Sequence, residues 1–195
     1  MQQKFYSKQL ILLGGGHSNI QVLKKLCMNE YIGLQTILIS ENYDATYSGL
    51  TPAYLQNQIK KNEISIDLQR LCFNAGVTFI KDRVISLDPN NQSLDLQNHP
   101  SIDYDLLSIN TGSISKKVNI KTHDQAKIIM VKPINLFVEQ IEKIDKLVNK
   151  NENAQITIIG NGIAGYEICF SLYQRYKNKI TITLIGSKDI NEKNI

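Results

Sequence analysis

The chain has 195 residues, of which 42% are hydrophobic and 21% are charged, with 11 Gly and 4 Pro. This composition is typical of a globular protein and excludes disordered, collagen-like and disulfide-scaffold classes. The net charge of +4 is spread without a basic block, so we expect no nucleic-acid partner, because phosphate binding needs clustered cations. No apolar run approaches the roughly 20 residues that cross a bilayer, and the first residues lack an apolar signal segment. We therefore expect a soluble, cytoplasmic protein.

Three cysteines, Cys27, Cys72 and Cys169, lie far apart among apolar residues. Their number is odd and their spacing matches no metal-binding pattern. We expect three buried thiols and no metal site.

The first third of the chain has the pattern of a βαβ unit. An apolar run at 9–13 ends in Gly14-Gly15-Gly16, after which apolar residues recur at helical spacing. A second apolar run, 34–40, is continuous rather than alternating, as in a parallel strand covered on both faces.

Further elements follow a polar, tyrosine-containing stretch at 41–64. The pattern predicts a helix at 66–74, a strand at 77–80, a hairpin of 84–88 with 93–96, and a buried strand at 104–110 that ends in Thr111-Gly112.

The opening pattern recurs after an irregular segment at 113–132. We expect a helix that begins at Asn135 as its N-cap, with Val138, Ile141, Ile144 and Val148 on its apolar face. A strand at 155–159, the turn Gly160-Asn161-Gly162, a helix at 163–176 and a strand at 180–185 then follow.

The second turn fits the dinucleotide-binding pattern GxGxxG, with a strand before it and a helix after it. Gly160 permits the sharp turn, Gly162 leaves room for a pyrophosphate, and Gly165 lets helix and strand approach closely. Gly14 and Gly16 repeat the first two roles 146 residues earlier, and Asn19 replaces the third glycine. One such turn could be purely structural, but two in βαβ context favour dinucleotide binding.

An acid about 20 residues beyond the glycines commonly binds a ribose hydroxyl. Glu41, directly after Ser40, has this position in the first unit, although a solvated loop carboxylate fits equally well. The second unit has Gly186-Ser187-Lys188 there, so the choice between NADH and NADPH stays open.

Several passages together resemble a known family. GGGHSNIQVLKKL, LISENYDATYSGLTPAYL, ISIDLQRLCFNAGVTFI, YDLLSINTGS, VKPI and IIGNGIAGYEI are similar in order and spacing to the pyridine nucleotide-disulfide oxidoreductase superfamily. The nearest branch resembles type II NADH dehydrogenases and the flavoprotein module fused to selenide, water dikinase. The resemblance covers nearly the whole chain. It implies an α/β fold with a Rossmann-like FAD-binding domain, residues 1–128, which has a parallel sheet, and an incomplete Rossmann-like NAD(P)-binding domain, residues 129–195.

The resemblance also implies cofactor-binding residues. FAD would contact Gly14, Gly15, Gly16, His17, Ser40, Glu41, Tyr47, Ser48, Thr51, Pro52, Val84, Thr111 and Gly112, and NAD(P)H would contact Gly160, Gly162 and Gly165. His17 is alternatively an ordinary residue of the first helical turn, and Tyr47 a core residue.

The sequence departs from the disulfide-reducing members, which have a cysteine pair near the flavin, because it has Tyr47-Ser48-Gly49-Leu50-Thr51 in that place. The resemblance therefore implies an FAD-dependent NAD(P)H oxidoreductase that passes electrons to a quinone-like or other small acceptor, with no protein dithiol and no assigned catalytic residue.

Family members continue beyond the point that corresponds to Ile195. We therefore expect a truncated form, and a non-catalytic dinucleotide-binding fragment or an interaction module remains the alternative. Two kinds of partner stay open. One is a membrane, contacted peripherally through a further C-terminal region, and the other is a second copy of the chain in a homo-oligomer.

Overall fold

The computed structural model describes residues 6–115, 126–151 and 153–187. Its contacts divide the chain into two compact units. Unit 1 contains Met1–Thr46 and Ser65–Ile114, and unit 2 contains Tyr47–Ile64 and Ser115–Ile195. Residues 47–64 thus pack with the second unit, whereas the predicted division at residue 128 places them in the first domain. That division into functional domains stays a prediction.

The elements follow one another in an α/β order. They are β1 (Lys8–Leu13), α1 (His17–Met28), β2 (Leu34–Ser40), β3 (Asp44–Thr46), α2 (Thr51–Leu55), β4 (Ser65–Asp67), α3 (Leu68–Asn74), β5 (Thr78–Lys81), β6 (Val84–Asp88), β7 (Ser93–Leu96), β8 (Ile102–Asp103), β9 (Leu106–Ile109), α4 (Ile134–Lys150), β10 (Ala154–Ile159), α5 (Ile163–Tyr176) and β11 (Ile180–Ile185).

Unit 1 is built around a parallel sheet with the strand order β5-β2-β1-β9. Side chains alternate along its strands, so Leu12 and Leu38 pack on one face with α1 and α3, and Ile11 and Ile37 pack on the other face. The second face is covered by the antiparallel sheet β6-β7-β8, which contributes Leu94 to the core. The fully covered sheet explains why β2 is apolar without alternation. The predicted Rossmann-like α/β fold is confirmed.

Unit 2 packs α2, α4 and α5 with a parallel pair of strands, β10 and β11. Its core is formed by the buried residues Tyr54, Leu55, Ile64, Phe137, Val138, Ile141, Val148, Leu172 and Tyr176. Both strands alternate between partly buried and exposed residues, and at their ends Ile159 and Ile185 are 59% and 50% exposed.

Two local predictions are wrong, for the start of α4 and for two of the cysteines. The helix predicted to begin at Asn135 has Pro133 as its N-cap, because the Pro133 carbonyl already accepts a helical hydrogen bond from the Phe137 N–H at 3.2 Å. The polar stretch 41–64, for which no element was predicted, contains α2 and supplies core residues. Cys27 is exposed and Cys169 is only partly buried, because both lie outside the inward faces of their helices; Cys72 is buried as predicted.

Among the residues that the structure describes, no helix is both long enough and apolar enough to cross a membrane.

Candidate functional site

The first glycine turn lies at the carboxyl edge of the parallel sheet, between β1 and α1. The register aligns Leu13 with Ile39 and with Ile109, so three strands end together at this edge. Gly14 has a φ of +88°, and its N–H donates to the Ile39 carbonyl at 2.8 Å. Gly16 is the N-cap of α1. The left-handed backbone at Gly14 requires glycine, and the turn lies where the sequence predicts it.

Both outer glycines of this turn are in close contact with the end of β9. A Cβ on Gly14 would lie 2.5 Å from the Asn110 carbonyl oxygen and 2.6 Å from the Thr111 Cα, and a Cβ on Gly16 would overlap the Asn110 carboxamide. The Gly16 N–H donates to the Asn110 carbonyl, and the Ser18 N–H donates to the Asn110 Oδ1, both at 3.0 Å. The packing of Gly16 against Asn110 therefore requires a glycine at position 16, independently of any bound pyrophosphate.

Other predicted residues of the first site flank the turn. Gly15 packs closely, since a Cβ there would lie 2.5 Å from the Leu68 Cδ1. His17 is the exposed first residue of α1, and its Nε2 lies 3.4 Å from the Gln21 Nε2. Gly112 has a φ of +83° where the chain leaves β9.

Ser40, Glu41 and Val84 lie at the same edge of unit 1. Ser40 ends β2, aligned with Lys81 at the end of β5, and Val84 begins β6. The Glu41 Oε2 accepts a hydrogen bond from the Arg83 Nη2 at 2.7 Å, and both side chains are more than half exposed. Because an exposed ion pair is worth only about 0.2–1 kcal/mol, a ribose hydroxyl could compete for this carboxylate.

A buried carboxylate, Asp82, holds the chain next to Arg83. It accepts hydrogen bonds from the Arg83 N–H (2.7 Å) and from the N–H and Nδ2 of Asn98 (3.0 and 2.9 Å), and it lies 2.6 Å from the His99 Nδ1. Burial raises the pKa of Asp82, but these hydrogen bonds outweigh burial and hold the pKa well below its ordinary value. Asp82 is therefore an ionised anchor for the segment that begins β6.

The second glycine turn, between β10 and α5, repeats the geometry of the first. Gly160 has a φ of +118°, and its N–H donates to the Ile185 carbonyl at 2.7 Å, just as Gly14 donates to the end of β2. Gly162 is the N-cap of α5, and its carbonyl accepts from the Tyr166 N–H at 3.2 Å. The two turns are thus structural equivalents.

The surroundings of the two turns differ. Apart from its chain neighbours, no described heavy atom lies within 4 Å of the place where a Cβ on Gly162 would be. A Cβ on Gly165, in contrast, would overlap the Gly160 carbonyl oxygen. Gly165 therefore serves close packing of helix on strand, and the space at Gly162 is open.

Residues Tyr47–Pro52, predicted to face a flavin, form the start of α2 in unit 2. The Tyr47 N–H donates to the Ile64 carbonyl at 2.8 Å, Ser48 begins a short 3₁₀ turn, and Pro52 lies in the first turn of α2. Thr51 is only 5% exposed, and among the described residues its Oγ1 has no hydrogen-bond partner. A buried hydroxyl without a partner is unusual and is consistent with a ligand that completes the site.

Arg175 on α5 binds the residues at the C-terminal end of α2. Its guanidinium binds both Asp145 carboxylate oxygens at 2.7 Å, donates to the Tyr54 and Leu55 carbonyls at 3.3 Å, and donates to the Asn57 Oδ1. The carbonyls at the end of α2 are thereby satisfied by a buried cation.

The sequence interpretation missed most of these supporting residues. Asn110 could have been predicted as a site residue, because it directly precedes Thr111-Gly112 at the end of a predicted strand. Asp82 and the Arg175–Asp145 pair have no local signal, because their partners are distant in the sequence.

Comparisons with known proteins agree with this geometry. Residues 8–190 match the family described as pyridine nucleotide-disulphide oxidoreductase. The sulfide-quinone reductase of Aquifex aeolicus is 32% identical over 109 residues, which are 54% of this chain and 24% of that protein. The alternative NAD(P)H-ubiquinone oxidoreductase C1, chloroplastic/mitochondrial, of Arabidopsis thaliana is 23% identical over 203 residues, covering 93% of this chain and 39% of that protein.

Among solved structures, NDH2 from Plasmodium falciparum in complex with NADH has a TM-score of 0.70 at 18% identity. The match covers 93% of this chain and 42% of that one. The chain therefore spans less than half the length of each of these three proteins.

Proposed function

This chain belongs to the pyridine nucleotide-disulphide oxidoreductase family, and we propose that it binds FAD at the first glycine turn and NAD(P)H at the second, as part of an NAD(P)H oxidoreductase. Proteins of this family bind FAD and NAD(P)H. Bound FAD supplies an acceptor for the hydride of the nicotinamide, and the electrons then leave to a quinone-like or other small acceptor.

The observation that carries this proposal is the match over residues 8–190, because it includes both glycine turns in one stretch of family sequence. The equivalent hydrogen bonds of Gly14 and Gly160 support it further, since each turn closes against the end of the next parallel strand. A single glycine turn would not distinguish a binding site from a structural turn.

For FAD, unit 1 offers the start of α1 at the first glycine turn. The N–H groups of Gly16 and Ser18 are bonded to Asn110, but the first turn of α1 contains no acidic side chain and presents the positive end of the helix dipole. These features fit a diphosphate at the turn.

For NAD(P)H, the open space at Gly162 fits a pyrophosphate against the start of α5. Gly186 and Ser187, which follow β11, provide no carboxylate for a ribose 2′-hydroxyl. The proposal therefore includes NADH and NADPH.

The proposed acceptor is a small molecule. Both curated relatives named above are quinone reductases by name. The segment 47–51 has no cysteine, so a dithiol next to the flavin is not part of the proposal. Membrane contact, oligomerisation and a cytoplasmic location stay predictions.

The test is reconstitution of the purified chain with FAD, followed by anaerobic addition of NADH. We expect visible flavin absorbance that remains after gel filtration and that bleaches with NADH. A Gly162→Ala variant is the matched control, because it should keep the flavin but bleach only at higher NADH concentration. Loss of all flavin on gel filtration would contradict the proposal, and retained flavin that NADH never bleaches would indicate binding without turnover.

A further inference from the structure

Asn19 occupies the third position of the first glycine motif and is fully buried, with 0% of its surface exposed. Its Nδ2 donates to the carbonyls of Leu13 (3.1 Å) and Gly14 (2.8 Å), and its Oδ1 accepts from the Ser108 Oγ at 2.7 Å. Both donors and the acceptor of the carboxamide are thus used. A buried amide with this set of partners can adopt only one orientation without leaving a polar group unsatisfied.

The same residues connect the turn to β9. Ser108 lies on β9, and Asn110 directly follows that strand. Asn110 binds the N–H groups of Gly16 and Ser18, as described above. We call Asn19, Ser108 and Asn110 the asparagine clamp.

The second turn has no room for such a side chain, because Gly165, the equivalent of Asn19, lies against the Gly160 carbonyl. One turn is therefore held by close packing of a glycine, and the other by a side chain that binds the turn carbonyls. The clamp is a property of the first turn.

The orientation of the Gly14 carbonyl has a direct consequence for the next amide. In a trans peptide, the N–H of Gly15 points opposite to the carbonyl of Gly14. Because Asn19 binds that carbonyl from the buried side, it directs the Gly15 N–H away from the core.

We propose that Asn19 is a positioning residue for the FAD diphosphate, which aims the Gly15 N–H through its bond to the Gly14 carbonyl and is itself oriented by Ser108. This inference rests on the proposed FAD site at the first turn. It assigns Asn19 and Ser108 an effect on FAD affinity without contact with the cofactor.

The test measures the dissociation constant of FAD by flavin fluorescence in the full chain. Ser108→Ala removes one bond of the clamp and should weaken FAD binding about three- to tenfold, the effect of one net hydrogen bond. Ser108→Thr retains a hydroxyl and should restore most of the affinity. Asn19→Leu should weaken binding further. Leu23→Ala, which shortens a buried side chain of α1 away from the turn, is the control for general loss of stability.

Hydrogen exchange gives a readout that does not depend on FAD. In Ser108→Ala without cofactor, the amide of Gly14, the residue whose carbonyl Asn19 binds, should exchange faster, because its bond to the Ile39 carbonyl is held less firmly; the Val77 amide, bonded to Cys72 in the same unit, should not change.

The outcomes separate the two proposals. The role of the clamp is overturned if Ser108→Ala binds FAD as tightly as the unmodified chain. It is also overturned if Leu23→Ala loses as much FAD affinity as Ser108→Ala. Either result leaves the proposed FAD site intact. Failure of the unmodified chain to bind FAD overturns the proposed function itself. Unchanged exchange at Gly14 overturns the clamp in either case.

Discussion

Replacing Arg175 by Met should destabilise unit 2 by removing a buried ion pair. The Arg175 side chain is 8% exposed and its partner Asp145 is 31% exposed. Breaking a fully buried pair costs about 3–5 kcal/mol, and an exposed pair is worth about 0.2–1 kcal/mol. Because Asp145 keeps some contact with water, we expect a loss near the lower end for a buried pair, about 3 kcal/mol.

One further effect acts in the same direction, and the choice of Met isolates the contribution of the guanidinium. Met retains the length of the side chain, so the loss reports the guanidinium rather than packing. The carbonyls of Tyr54 and Leu55 would lose their partner, whereas Asp145 would keep its hydrogen bond from the Tyr176 hydroxyl at 2.9 Å.

The assay is urea unfolding followed by circular dichroism, with Arg70→Met as the matched control. Arg70 is exposed, so its replacement should change the free energy of unfolding by less than about 0.5 kcal/mol. A double variant, Arg175→Met with Asp145→Leu, should lose less than the sum of the single variants, because the two residues interact directly. A loss in Arg175→Met no larger than that in Arg70→Met would refute the reasoning.

The contribution of the Arg175–Asp145 pair to stability should decrease as the pH falls. Burial raises the pKa of Asp145, but the hydrogen bonds from Arg175 and Tyr176 outweigh it and lower the pKa. The contribution of the pair to stability is therefore fully present above the ordinary Asp pKa of about 3.9 and is lost as the pH falls through the folded value. The difference in stability between the unmodified chain and Arg175→Met should shrink with acidification below that pH.

The remaining predictions concern the second turn and the thiols. Gly162→Ala should leave the unfolding temperature nearly unchanged, because its Cβ would meet open space, and should raise the dissociation constant of NADH at least about tenfold, measured by NADH fluorescence; unaltered NADH affinity would contradict the role of Gly162. Burial, with a smaller effect of Cys27, raises the pKa of the Cys72 thiol to about 12. Iodoacetamide at pH 8 should therefore modify the exposed Cys27 and spare Cys72 in the native protein, as read by mass spectrometry of peptides; equal labelling of both would show that the core around Cys72 opens readily.

Local patterns determined most of the architecture. The apolar run of β2, the hairpin of β6 and β7, and α5 have the predicted bounds, because each is encoded by residues adjacent in the sequence. The glycine turns were also predictable, since the spacing of the glycines and their position between strand and helix are local features. The family resemblance is confirmed by the match over residues 8–190.

Contacts between distant residues were decided only by the tertiary structure. Nothing near Gly16 in the sequence indicates that Asn110 occupies the space beside it, because β9 reaches the turn only through the parallel sheet. The stretch 41–64 is polar in the sequence and carried no predicted element, yet Tyr54 and Leu55 are core residues of unit 2. Their burial, and the Arg175 bonds to their carbonyls, require α2 and α5 to pack together, and no periodicity within either segment encodes that pairing. Hydrophobic patterns specify which face of an element is buried, but the complementary surface that buries it is set by the fold of the whole unit.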